Sequence, residues 1–156
     1  MHSYFLYCDG SSRGNPGPSG YSVIVVSALT ENVVDKIISP LFSRDSSERM
    51  ELMALKEALE WLLHHNFTSA VIFSDSQTVI DGFNKNLNKW IGSGFIGVKY
   101  IEDWKNIAEI KQKIGDRVYV KKIKAHQKRN NWNNEADRLA KIASSISNPN
   151  KAVPGK

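Results

Sequence analysis

The chain has 156 residues, 41% hydrophobic and 24% charged, and its 21 lysines and arginines against 16 acids leave a net charge of +5. That size and balance fit one globular domain with its own core, and the basic surplus suits an anionic partner. A disulfide scaffold is excluded because Cys8 is the only cysteine, no Cys/His cluster offers a zinc site, and no run approaches the roughly 18 apolar residues of a membrane span. The N-terminus lacks the basic-then-apolar pattern of a signal peptide, so a cytoplasmic location is expected.

Residues 3–9, Ser-Tyr-Phe-Leu-Tyr-Cys-Asp, predict a buried strand in which Cys8 packs as a small hydrophobe. Gly14, Pro16, Gly17, Pro18 and Gly20 then predict an irregular segment. Residues 21–28 and 33–41 predict two further strands, so that the fold opens with three antiparallel strands. A helix starts near the cap oxygens of Asp45, Ser46 and Ser47 and buries Leu52, Leu55, Ala58, Leu59, Leu62 and Leu63 before Asn66. A short strand at 70–74 and a short helix at 76–86 follow, the helix with Val79, Ile80 and Phe83 inward. Residues 87–99 carry three glycines and are expected to be irregular. Residues 100–114 predict a second full helix and 118–123 an edge strand. A polar loop at 124–132 leads to a last helix with Leu139, Ala140, Ile142, Ala143 and Ile146 on one face. The tail 148–156 has no apolar period and is expected to be disordered. The order β-β-β-α-β-α-α-β-α predicts one α/β domain over residues 1–147, a mixed sheet with helices packed on its faces.

Four acids stand where chemistry is concentrated. Asp9 and Asp75 each close an apolar run, Glu51 lies one turn into the first long helix, and Asp137 lies near the start of the last. Each alone is explained by a turn, a cap or a solvated helix face. Together, at the ends of neighbouring strands, they would repel one another unless cations neutralised them. Hard carboxylate oxygens without soft ligands favour Mg²⁺ or Mn²⁺. Two such ions about 3.5–4 Å apart activate a water and stabilise the leaving oxygen of a phosphodiester.

The neighbours of the four acids decide between these readings. Asp9-Gly10-Ser11 with Gly14-Asn15-Pro16-Gly17-Pro18-Ser19-Gly20-Tyr21, then Arg49-Met50-Glu51-Leu52-Met53-Ala54, closely resemble ribonuclease H of type 1. Ser74-Asp75-Ser76-Gln77-Thr78-Val79 and Asn133-Asn134-Glu135-Ala136-Asp137-Arg138-Leu139-Ala140 complete the match, in order, over residues 3–145. The resemblance implies the ribonuclease H-like fold with a five-stranded sheet. It implies an endoribonuclease that cuts the RNA strand of RNA–DNA hybrids and leaves 5′-phosphate and 3′-hydroxyl ends. Asp9, Glu51, Asp75 and Asp137 then occupy the metal site, with two Mg²⁺ ions for which Mn²⁺ substitutes. His126 matches the family's mobile histidine, which assists proton transfer or product release.

By the same resemblance, Gly10, Ser11, Arg13, Asn15, Ser47 and Gln77 line the minor groove of the hybrid, and Asn15 and Ser46 grip a phosphate of the DNA strand. Turn formation and helix capping are the rival roles of these residues. A monomer acting on the hybrid away from any membrane is expected. Three departures stand out: Ser47 and Glu48 replace the family's usual amides, residues 87–99 are shorter than the usual lysine-rich protrusion, and the loop from His126 to Asp137 is about one residue longer. The shortened segment, with only Lys89 and Lys99 as charges, predicts weaker and more salt-sensitive binding. Two rivals remain: a catalytically silent hybrid-binding module, and a DNA nuclease or strand-transfer enzyme of the wider superfamily.

Overall fold

The computed structural model describes residues 2–14, 16–40 and 42–123, and of Ser43 the backbone only. The expected loop, last helix and tail beyond 123 lie outside the described residues, as do Asn15, His126 and Asp137. Six strands form one sheet: β1 (Ser3–Ser12), β2 (Gly17–Ser27), β3 (Val33–Ile38), β4 (Phe42–Asp45), β5 (Ser69–Ser74) and β6 (Val118–Lys122). Their order is β3-β2-β1-β5-β6, with the short β4 paired to β2. The first three strands are antiparallel, whereas β5 runs parallel to both β1 and β6. The mixed sheet with three leading antiparallel strands is therefore as expected, with β4 as a short sixth member.

The hairpin between β1 and β2 differs from the irregular segment expected there. β1 runs past Asp9 to Ser12, and β2 begins at Gly17 despite Pro18 and Gly20. Pro18 is tolerated because the β2–β4 register shifts between Gly17 and Ser19, where a missing N–H costs no ladder bond. Its carbonyl accepts from the Arg13 N–H at 2.8 Å, which closes the turn. β3 stops at Ile38 rather than 41, just ahead of Pro40.

Helix α1 (Ser47–Leu63) carries the main core stripe, burying Met50, Leu52, Leu55, Ala58, Leu59 and Leu62 against one face of the sheet. Strand alternation divides the two faces. Leu6, Cys8, Val23 and Val25 lie on the α1 side, while Tyr7, Ile24 and Val26 join Ile123 in a second buried cluster. There Tyr7 stacks on Phe73 with centroids 4.9 Å apart.

Residues 87–99 are not irregular throughout. The helix α2 (Gln77–Asp81) passes through a π-helical turn (Gly82–Asn86) into α3 (Leu87–Ser93), which Gly94 ends at φ +72°. Trp90 of α3 meets Trp104 of α4 (Ile101–Ile114) edge to face at 5.0 Å, and this contact holds the extra helix. No helix among the described residues is long and apolar enough to cross a membrane.

Candidate active site

The carboxyl ends of the parallel strands β1, β5 and β6 lie at one end of the sheet, the usual place for a ligand crevice in an α/β fold. Asp9 stands on β1 at this end and is buried, with 5% exposure. Glu51 comes from the second turn of α1, half-buried. What brings them together is Gly10. A Cβ there would lie 2.4 Å from the Glu51 nitrogen and 2.4 Å from the Met50 carbonyl carbon, so only glycine lets the helix backbone cross the strand this closely. The Gly10 N–H then donates to Asp9 Oδ1 and to Glu51 Oε1, both at 2.9 Å. The two oxygens are thus separated by no more than twice that distance.

Two carboxylates on one neutral donor create a strong local negative field. Its mark is on the adjacent thiol: burial first, then the charges of Glu51 and Asp9, hold the Cys8 pKa well above its ordinary value. The thiol sits 3.6 Å from the Ala54 carbonyl and stays protonated.

Asp75 follows the last residue of β5. The β1–β5 register ends at Tyr7 opposite Phe73; continued two residues further, it sets Asp75 level with Asp9. Asp75 itself is exposed. The chain then turns at once, because the Ser76 side chain caps α2 by accepting from the Val79 N–H at 3.3 Å. Among the described residues, no three His, Cys, Asp or Glu side chains form a metal-holding group. The structure therefore brings Asp9 and Glu51 together and puts Asp75 directly after the end of β5, the strand beside β1, while Asp137 and His126 lie outside the described residues.

Around this pair the expected substrate residues fall into place unevenly. Ser11 and Arg13 sit half-buried on the hairpin. Ser47 is exposed at the start of α1, and exposed Gln77 donates to Asp81 Oδ1 at 2.8 Å. Ser46 has structural work: its hydroxyl accepts from the Arg49 N–H at 3.1 Å and lies 2.9 Å from the Tyr100 hydroxyl. Capping uses a lone pair of this oxygen, and its O–H remains a donor.

Several residues near the site were not legible as such. Tyr100 holds a left-handed backbone, φ +59°, just ahead of α4, a conformation that favours glycine or asparagine. Lys99 lies over its ring and pairs with Glu48 at 3.1 Å, so the charge that replaces the usual amide is countered. Arg49 bridges Asp45 at 2.5 Å and the buried Asp103 at 3.3 Å, tying the start of α1 to α4. The Ser12 and Ser19 hydroxyls both reach the Asp45 carbonyl at 2.9 Å and anchor the hairpin to the same point. The Arg49–Asp45 and Lys99–Tyr100 contacts are local in the chain, whereas the others join residues far apart in sequence, and no local pattern marks them.

The family model for RNase H matches residues 1–145. The chain belongs to the RNase H family. The Ribonuclease H of Helicobacter acinonychis (strain Sheeba) is 37% identical over 142 residues, 91% of this chain and 93% of that protein. The solution structure of the PFV RNase H domain superposes with a TM-score of 0.80 at 23% identity, covering 95% of this chain and 98% of that one. LC11-RNase H1 in complex with an RNA/DNA hybrid superposes at 0.67 and 23% identity, over 88% and 94%. At these identities the two structures attest the fold. Enzymes of the RNase H family work with divalent metal ions. The donors found here suit one: buried, hard oxygens in a negative field, with no soft ligand but a protonated thiol.

Proposed function

We propose that this ribonuclease H acts through Asp9, Glu51, Asp75 and Asp137, which hold two Mg²⁺ ions that Mn²⁺ can replace. The activity is endonucleolytic hydrolysis of the RNA strand of an RNA–DNA hybrid. The observation that carries the reading is the convergence of Asp9 and Glu51 on one backbone N–H at the carboxyl end of β1. A pair of like charges, one buried and the other half-buried, is costly to fold around unless a cation is to be bound. When bound, the ions supply charge neutralisation at the scissile phosphate and lower the pKa of the attacking water.

The chain's own residues do the rest. The carboxylates orient the reacting groups, and the Gly10–Arg13 strand end and Asn15 face the minor groove, where 2′-hydroxyls distinguish RNA from DNA. Ser46 and Asn15 hold a DNA-strand phosphate, Ser47 and Gln77 contact the groove, and His126 moves a proton near the leaving group. The 2′-hydroxyl is recognised and not used as the nucleophile, so the products carry 5′-phosphate and 3′-hydroxyl ends. The working unit is a cytoplasmic monomer whose single domain spans residues 1–147.

Hybrid, duplex DNA and duplex RNA compared side by side in Mg²⁺ test the reading. Cleavage confined to the RNA strand of the hybrid is expected, and cleavage of duplex DNA would sink it. Asp9→Asn is expected to abolish cleavage while hybrid binding persists. Metal-independent behaviour of both proteins would leave a binding module instead.

A further inference from the structure

The Gly10 N–H is a donor that the sheet has left over. Gly10 stands opposite Tyr21 in the antiparallel β1–β2 pair. Tyr21 turns its own N–H to Ser39 Oγ and its carbonyl to the Ser39 N–H, both at 2.9 Å, away from β1. Gly10 and Tyr21 are thus a non-hydrogen-bonded pair, in which both residues aim their backbone groups outward. For Gly10 that direction is the β5 side. There the ladder has already stopped: its last pair is Tyr7 with Phe73, and β5 ends at Ser74. Ser76 starts a helix in place of a further strand residue.

Two carboxylates fill the gap from opposite sides. Glu51 descends from α1, on the face of Leu6 and Cys8. Asp9, by strand alternation, belongs to the face of Tyr7. They meet in the plane of the sheet, on this one donor. We propose that Gly10 is a positioning residue of the metal site: its N–H holds the Asp9 and Glu51 carboxylates at a common point before a cation arrives, and keeps hold of them afterwards. The inference rests on the reading of Asp9 and Glu51 as metal ligands. A carboxylate oxygen has lone pairs enough to accept this bond and ligate a cation together, and such outer hydrogen bonds orient ligands. Gly10 therefore meets two separate requirements, the absence of a Cβ and the presence of an N–H.

The two are separable by replacing the Gly10 amide with an ester, through glycolate incorporated at position 10 in cell-free synthesis. The ester adds no atom to the crossing with α1 but removes the donor. The measurement is calorimetric titration of the full chain with Mg²⁺ alone, without nucleic acid. Loss of such a supporting bond typically weakens metal binding by about 10-fold or more, and that rise in the Mg²⁺ midpoint is expected. A folded ester protein with an unaltered Mg²⁺ midpoint would overturn the proposal. Should the ester protein fail to fold, the amide resonance of Gly10 in the unaltered protein decides: it is expected to shift along the Mg²⁺ titration curve, and a stationary resonance overturns the proposal. An Asp9→Asn control separates the two readings. If it leaves the Mg²⁺ midpoint untouched, the metal site itself is misassigned, whatever Gly10 does.

Discussion

Gly82 and Gly92 lie in one continuous helical run, 77–93, and any scale of helix propensity treats them alike. Alanine at either gains about 0.5–1 kcal/mol from propensity and lost chain entropy. The structure sets them apart. A Cβ on Gly92 meets nothing within 4 Å, whereas one on Gly82 would lie 2.3 Å from Trp104 Cη2 and 2.5 Å from Cζ2. The Trp104 ring cannot simply retreat: it is 4% exposed and wedged edge to face against Trp90. Forcing a methyl into a packed core costs about 1–3 kcal/mol, which outweighs the propensity gain. Gly92→Ala should therefore raise stability by about 0.5–1 kcal/mol and Gly82→Ala lower it by about 1–2 kcal/mol. In a chain of this size each kcal/mol moves the melting temperature by about 2–4 °C. Urea unfolding followed by circular dichroism, with thermal melts, reads both. If the two variants move in the same direction, the packing of Trp104 into the π-helical turn is wrong.

Other expectations follow from the same contacts. Arg49→Ala removes the pairing with Asp103 that ties α1 to α4, together with the pairing to Asp45, and leaves buried Asp103 with Lys56 at 3.8 Å; because Arg49 is about a third exposed, a loss of ~1–2 kcal/mol is expected, between surface and buried ion pairs, and an unchanged urea midpoint would refute it. Burial, and then the neighbouring Glu60 charge, raise the Glu57 pKa from 4.5. A carboxyl raised in the folded state lends stability that is complete below its unfolded pKa and is lost as pH climbs through the folded one, so Glu57→Gln should raise the melting temperature at pH 7 and have no such effect at pH 4. Lys89→Ala with Lys99→Ala should lower the slope of log affinity against log salt by about 2 in hybrid-binding titrations without Mg²⁺, one for each phosphate contact; an unaltered slope would show that the shortened 87–99 segment does not grip the backbone.

Local pattern carried much of this protein. The continuous apolar run of Phe5 to Cys8 and the helical period of Leu52 to Leu62 are written in neighbouring residues; they make β1 and α1 legible because a strand covered on both faces is apolar throughout and a helix buries one stripe. The motifs around Asp9, Glu51 and Asp75 likewise marked the family and the acids. Tertiary structure decided what depends on a partner distant in the chain. Pro18 enters a strand only because β4 meets β2 through a shifted register there, and α3 forms because Trp90 finds Trp104. Tyr100 takes a left-handed backbone beside the cap of α1, against its own preference. The union of Asp9 with Glu51 has the same origin. A strand that ends at Ser74, a helix crossing that admits no Cβ and a spare N–H coincide at Gly10. No stretch of sequence encodes that coincidence, because each part is set by packing between elements and not within one.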